Sequence, residues 1–479
     1  MTDNAPEPDE AKDERIRLLE YQLDYLRAEL SQLVRERDKI VYSAAWHVFK
    51  PLRRIEARLV DAVTAAWRRR RDKAPSAPPQ PVAVAPSSSA AAAPKASVPP
   101  ARLLVDVTGV IKRDAGTGIQ RVVKKVVQAL YGGESYEIPA LCVRAADGRL
   151  YSAHEYAATL AGAPSRALDE QIEPRPGDRF LMLSDSWNAF DELAPLFARI
   201  REQGGEIISC VFDLIPELHP HACHDVTVPL YDAWLRKALV ESDGFLAISR
   251  TVAEELAAFV ENRALPHRSG LKIGWFHCGC DIAPAAALEP RAKIRDAAVG
   301  PSPLFLCVST IEPRKGQRVA LRAFESLWRE GVDARLLFVG RRGWLDEAVV
   351  AEIANHPERG RRLFWFEDVG DDELAFLYER ARALVLPSFA EGFGLPIVEA
   401  AWRGRPVLCS DIPVFREVGG AGAIYFRVND PRALADCVKD FLAGRIGADP
   451  ALVSRATWAQ AARRIVEVIA REEWSARLP

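Results

Sequence analysis

Nowhere in the 479 residues do about 18 apolar residues run without interruption, which excludes a membrane-spanning helix at the level of sequence. The first ten residues, MTDNAPEPDE, are acidic and polar, so there is no positively charged leader region and the chain is expected in the cytoplasm. Net charge is only −2, from 64 Lys and Arg against 66 Asp and Glu, which gives no electrostatic basis for a nucleic-acid partner. The eight cysteines share no repeated spacing and mostly sit in apolar runs such as FLCVS and VLCS, so they read as reduced core residues. Two clusters, HPHACH (219–224) and HCGC (277–280), lack the paired spacing of a structural zinc site, and neither a metal nor a cofactor is expected.

Apolar residues make up 49% of the chain and charged residues 27%, the balance of a globular protein too long for a single core. The charge is uneven. Residues 1–40 carry eleven acids against seven bases, and residues 46–73 carry nine bases against three acids. Ile16, Leu19, Leu23, Leu26, Leu30, Leu33, Arg37 and Ile40 alternate at spacings of three and four, the seam of a coiled coil about 35 to 40 Å long. So short a helix needs a partner strand, and self-association is favoured over packing on its own domain. In residues 43–71, Leu52, Ile55, Leu59, Val63 and Ala66 form one apolar stripe beside Arg53, Arg54 and Arg58. Two readings stand equally for this basic helix: an anionic membrane surface, or an extension of the oligomer contact. Residues 74–100 are almost wholly Ala, Pro and Ser, a stiff linker able to reach up to about 80 Å.

Beyond the linker, short apolar strands alternate with amphipathic helices. Strands are expected at 102–107, 179–183, 206–211, 244–248 and 272–276, with helices at 119–131, 225–241 and 251–261. A second series is expected at 304–309, 335–340, 362–366, 383–387 and 406–410. Apolar strands bounded by helices imply parallel sheets covered on both faces. The expected fold is therefore α/β, two Rossmann-like doubly wound domains facing a cleft, behind a helical arm. The boundaries are 1–73 for the arm, 74–100 for the linker, 101–290 for the first domain and 291–479 for the second, with a crossing back of the final helix left open.

Ligands of such sheets lie beyond the carboxyl ends of the strands. There the second series places TIEPRKGQ, RRGW, EDVGDDEL and SFAEGFGLPIVEA, so basic, acidic and glycine-rich segments share one edge. Pro396 fits the first turn of a helix running to about Arg403, which makes Gly392, Phe393 and Gly394 the bend leading into it. Free N–H groups and the positive end of the helix dipole at such a bend suit a phosphate. Glu391 and Glu399 bracket the bend, and a carboxylate can accept from a pair of sugar hydroxyls. Arg314 and Lys315 supply countercharge for a diphosphate.

The run from Ser309 to Phe426 resembles the C-terminal half of the family 4 retaining glycosyltransferases with the GT-B fold. By that resemblance, Glu391 contacts the donor hexose, Glu399 the nucleotide ribose and Lys315 the donor phosphates, with backbone near Val369 beside the base. The first half resembles bacterial members that extend cell-surface polysaccharides, through DVTGVIKRDAGTGIQRV (106–122) and VFDLIPELHP (211–220). Gly116 and Gly118 then close a strand-to-helix turn near donor or acceptor, although Arg121 stands where a dinucleotide fingerprint has its third glycine. Two departures stand out. Ser309 and Thr310 occupy the region where many members carry an arginine, for which Arg341 or Arg121 are the candidate substitutes. Phe212 precedes Asp213 where many members have histidine, leaving Asp213 as the cleft candidate.

The resemblance implies transfer of a hexose, mannose or a deoxyhexose, from a nucleotide diphosphate sugar to a surface glycan whose acceptor is lipid-linked at the cytoplasmic membrane face. No D-x-D triplet occurs, so no metal is assigned to the diphosphate, and Lys315, Arg314 and the helix start at 394–396 carry that role. Two alternatives to transfer are a sugar-nucleotide epimerase on the same scaffold and a non-catalytic coiled-coil scaffold organising partner glycosyltransferases.

Overall fold

The computed structural model describes residues 101–479 apart from 115, 133–135, 166, 185, 282–288 and 344–346. The coiled-coil seam, the basic helix and the linker lie outside the described residues. Within these residues two sheets form. The first contains β1 Leu103–Asp106, β2 Ala140–Ala146, β3 Arg149–Ser152, β4 Gln171–Ile172, β5 Arg179–Met182, β6 Glu206–Val211, β7 Gly244–Ala247 and β8 Lys272–Trp275. The second contains β9 Leu304–Val308, β10 Arg335–Val339, β11 Leu363–Phe366, β12 Ala383–Leu386, β13 Val407–Ser410 and β14 Ile424–Phe426. A last strand, β15 Ala476–Arg477, returns to the first sheet.

The spatial orders are β15-β8-β7-β6-β5-β1-β2-β3-β4 and β11-β10-β9-β12-β13-β14. All pairings of the second sheet are parallel, and so are those running from β8 to β2 in the first. Strands covered on both faces must be apolar throughout, and β12 shows it: Ala383, Leu384, Val385 and Leu386 are all fully buried. Burying each large aliphatic side chain of this kind contributes about 1.5 to 3 kcal/mol. The strands expected from the sequence form within a residue or two of their expected ends. The hairpin β2–β3 was not among them. Its turn is Asp147-Gly148, both at positive φ (50° and 67°), the backbone that a two-residue hairpin with right-handed strand twist requires.

The chain order creates a crevice in each sheet. In the second, β9 leads outward to β10 and β11, after which the chain returns to lay β12 on the other side of β9. The loops after β9 and β12 therefore diverge, leaving room for a ligand between them. At the chain end, helix Trp458–Ala470 packs on helix Gly118–Tyr131, and β15 pairs antiparallel with β8. Trp458 N donates to Asp281 Oδ1 at 2.5 Å as the chain crosses over. No helix among the described residues is long and apolar enough to cross a membrane.

Candidate functional site

The two loops that diverge at the β9/β12 crevice carry a compact charge cluster. After β9 the chain makes a short turn, Pro313–Lys315, and after β12 it runs through Ser388 to Gly394. Phe389 N donates to Arg314 O at 2.9 Å and joins the two loops. Lys315 Nζ lies 2.7 and 2.8 Å from the two carboxylate oxygens of Glu391, Arg314 donates to the same carboxylate at 3.1 Å, and Ser388 Oγ donates at 2.8 Å. Arg314 also pairs with Glu312 at 3.1 Å. Glu391, Lys315 and Arg314 have side chains only 10 to 17% exposed, so the cluster is largely shielded from solvent.

Burial pushes the Glu391 carboxyl up, but Lys315 and Arg314 outweigh it and hold Glu391 below the usual carboxylate range. Burial opposes charge on Arg314 as well, yet Glu391, Glu312 and Asp213 raise it further above its ordinary value. Asp213 and Glu312 are both pushed up by burial, against the lowering effect of Arg314. Two cations thus face three carboxyl groups, and Glu391, the one bonded to both, is the one held below its ordinary value.

Asp213 arrives from the other sheet, just after β6, with Ile215 N bonded to its Oδ1 at 3.0 Å and Tyr231 Oη donating to its backbone oxygen at 2.5 Å. The segment Phe212–Asp213 rests directly on the glycine bend. A Cβ at Gly392 would overlap the carbonyl oxygen of Phe212, so only glycine allows this approach. From the end of β7, Ser249 Oγ donates to Gly392 O at 2.8 Å. Gly394 has φ 101° and starts helix Leu395–Trp402, with Pro396 in its first turn. Phe393 is buried and meets the ring of His277 at 5.4 Å. The rings of His219 and His221 lie 5.6 and 6.0 Å from Phe389, so the HPHACH segment wraps the same loop.

Glu399 forms a second cluster. It is 3% exposed and accepts from Tyr378 Oη at 2.9 Å, while Arg121 Nη1 pairs with its other oxygen at 3.0 Å. Burial pushes the Glu399 carboxyl up, and Arg121 and Tyr378 offset only part of this. Arg121 also faces Asp371 at 3.9 Å. It projects from helix Gly118–Tyr131, whose start is fixed by a capping box between Thr117 and Gln120. Gly118 is the first residue of that helix, and Gly116, at φ 65°, presents its bare Cα to the Arg341 guanidinium, with an added Cβ 3.6 Å from Nη2. Arg121, one of the two candidate substitutes for the missing arginine, pairs with Glu399. The guanidinium that shares Glu391 with Lys315 is Arg314. Val369 follows β11 half-buried against the core.

One contact had no sequence signal. Glu417, on helix Pro413–Gly419, is 4% exposed and accepts from Arg250 N (2.8 Å), Thr251 N (2.7 Å) and Thr251 Oγ1 (2.5 Å), with His277 Nε2 at 2.7 Å. It thereby occupies the amino end of helix Arg250–Asn262, where carboxylates are stabilised. Burial pushes Glu417 up, but these hydrogen bonds prevail and bring it to about 2. A carboxyl depressed on folding stabilises the fold above its unfolded value near 4.5, and that contribution disappears as pH falls toward 2. In denaturant unfolding from pH 7 down to 2.5, Glu417→Gln is therefore expected to be less stable than wild type by about 2 to 3 kcal/mol at pH 7, with the gap narrowing steadily below about pH 4.5. A gap independent of pH would refute this assignment.

Residues 291–465 match the family described as "Glycosyl transferases group 1". The "Serotype-specific mannosyltransferase WbdA" of Escherichia coli is 33% identical over 349 residues, 71% of this chain and 41% of that protein. The "O-antigen chain mannosyltransferase B" of Escherichia coli is 35% identical over 162 residues, 33% of this chain and 42% of that protein. This chain thus spans less than half the length of these curated relatives. Among solved structures, that titled "Crystal structure of Anabaena Alr3699/HepE in complex with UDP-glucose" superposes with TM-score 0.50 at 14% identity, covering 78% of this chain and 97% of the other. The described residues therefore have the two-sheet GT-B architecture of known glycosyltransferase structures, and the half that holds Lys315, Glu391 and Glu399 is the half that matches the group 1 glycosyl transferases.

Proposed function

We propose that this chain is a retaining family 4 glycosyltransferase that moves mannose, or a deoxyhexose, from a nucleotide diphosphate sugar to a growing surface polysaccharide. The observation that carries this reading is the Arg314–Lys315–Glu391 cluster, set at the crevice of the second sheet and covered by Phe212–Asp213 of the first. The printed names of the relatives, all mannosyl or glycosyl transferases, support the reaction class and favour mannose.

In this reading Lys315 and Arg314 turn from Glu391 to the diphosphate, which frees the Glu391 carboxylate to accept from a donor hexose hydroxyl. Glu399 accepts from the ribose diol, for which each of its oxygens has one lone pair beyond those used by Tyr378 and Arg121. The sugar C1–oxygen bond breaks with its electron pair leaving on the diphosphate. The acceptor hydroxyl oxygen bonds to C1 on the same face, and its proton passes to the departing diphosphate oxygen. The cations stabilise the charge that develops there. Glycines at the bend allow the two halves to close on the donor and keep water away. The acceptor is proposed to be lipid-linked, with the heptad segment holding several copies together and the basic helix near an anionic membrane face.

The test is a panel of nucleotide sugars incubated with and without an oligomannoside acceptor, with the product anomer read by NMR. Expected is acceptor-dependent consumption of GDP-mannose and an α-mannoside product. A β-linked product refutes retention, a changed sugar without acceptor would show an epimerase, and no consumption of any donor would leave the scaffold.

A further inference from the structure

A second charged cavity lies at the opposite edge of the second sheet. It has a volume of about 580 Å³ and is lined by the residues that enter β9, β10, β12 and β13, among them Arg335, Arg380, Arg382 and Arg405. A parallel strand of four or five residues separates this edge from the Lys315–Glu391 cluster, a span of about 15 Å.

Among the described residues, none of these four guanidinium groups is paired with a carboxylate. Arg335 is 7% exposed and donates only to carbonyl oxygens, those of Ala297 (2.9 Å), Ala298 (3.4 Å), Gly300 (3.4 Å) and Ser302 (2.9 and 3.1 Å). Arg405 Nε donates to Arg403 O at 3.1 Å. Arg380 and Arg382 are exposed and lie over the rings of Phe376 and Phe441, at 5.3 and 4.9 Å from their centroids. Of the acids nearby, Glu379 pairs with Arg403 at 2.7 Å, and Asp333 accepts from Ser302 Oγ at 2.6 Å while its charge favours the charged form of Arg335.

A structural explanation for the arginines is that they offset the negative ends of helices, because helices Ala292–Ala298, Asp371–Arg380 and Leu395–Trp402 all end at this cavity. Each helix end is equivalent to about half a negative charge, so three of them offset less than two of the four positive charges. With the Asp333 carboxylate counted as well, roughly one to two positive charges are left over in a concave site. A single carboxylate would neutralise one of them, whereas a phosphomonoester or diphosphate carries enough charge and offers the oxygen geometry that guanidinium forks match.

We propose that this cavity is a second anion site, remote from the transfer cleft, that binds a phosphate-bearing group through Arg380, Arg382 and Arg405 on a wall held by Arg335. The site stands whether or not the chain transfers sugar. Inorganic pyrophosphate is titrated by calorimetry into full chain carrying Lys315→Ala, which weakens the cleft as a competing site. The same titration is run with Arg380→Gln, Arg382→Gln and Arg405→Gln added, and with Arg380→Glu alone added. Expected is saturable binding in the first protein, weakened at least tenfold in the other two, with thermal transitions within a few degrees of one another. Arg380→Glu, a single exposed change, guards against misfolding of the triple variant. Equal affinity in all three proteins would overturn the proposal. Sedimentation with phosphatidylglycerol vesicles identifies the source of the phosphate: loss in the triple variant points to a lipid headgroup, and unchanged sedimentation beside lost pyrophosphate binding points to a free phosphate compound.

Discussion

Lys315→Ala is expected to lower sugar transfer at least tenfold in a protein whose circular dichroism and thermal transition stay close to wild type. The size follows from the chemistry. A charge-assisted bond to a phosphate oxygen is worth about 1.5 to 3 kcal/mol, and about 1.4 kcal/mol is a factor of ten. Much of that interaction strengthens as charge builds on the departing diphosphate, so the loss should fall on kcat as well as on kcat/KM. Folding should survive because Arg314 remains bonded to Glu391 at 3.1 Å and Ser388 still donates to it at 2.8 Å. Glu391→Ala should lower transfer by at least the same factor, and with the carboxylate gone Lys315 loses the partner that orients it. Because the two side chains are in contact, their effects should not add, and the double variant should be less impaired than the product of the singles. Near wild-type rates for both single variants would reject the site.

The other large effect is expected at Gly392. A methyl group there would overlap Phe212 O, a backbone atom that cannot rotate away, so Gly392→Ala must push the bend and the segment Phe212–Asp213 apart. Overpacking of this kind costs about 1 to 3 kcal/mol, and for a chain of this size that lowers the thermal transition by several degrees. Since the displaced segment carries Asp213 and the displaced bend carries Glu391, kcat/KM for transfer should fall at least tenfold. An alanine variant with unchanged melting and unchanged activity would show that the two segments do not meet in solution as they do here.

Much of the architecture was legible because it rests on local pattern. Runs such as LFLCV and ALVL are apolar on both faces, and only a covered parallel strand uses such a run well. The glycine bend was legible for the same reason, with Gly394 and Pro396 marking a helix start from a left-handed residue. The hairpin at Asp147-Gly148 carried a signal in its turn dipeptide, although its strands, ALCVRAA and RLYS, are too mixed to announce themselves. The partners of the glutamates were harder to foresee. Glu399 reads as an acid near a helix start, yet burial and the approach of Arg121 from the other sheet make it an interior carboxylate. Glu417 offered nothing at all: its donors, Arg250 and Thr251, are more than 160 residues away in sequence, and only the packed helices bring them together.

The return of the chain end to the first sheet means that the primary sequence cannot be cut once to give two self-sufficient pieces. Residues 458–470 bury Ile465, Val466, Val468 and Ile469, and they do so partly against a helix that begins at Gly118. A fragment starting at 291 would carry that greasy surface without its cover, and one ending at 290 would lack both the cover's partner and its terminal strand. A workable dissection would instead fuse the final segment to the front half, leaving the second sheet and its helices as an insert within it.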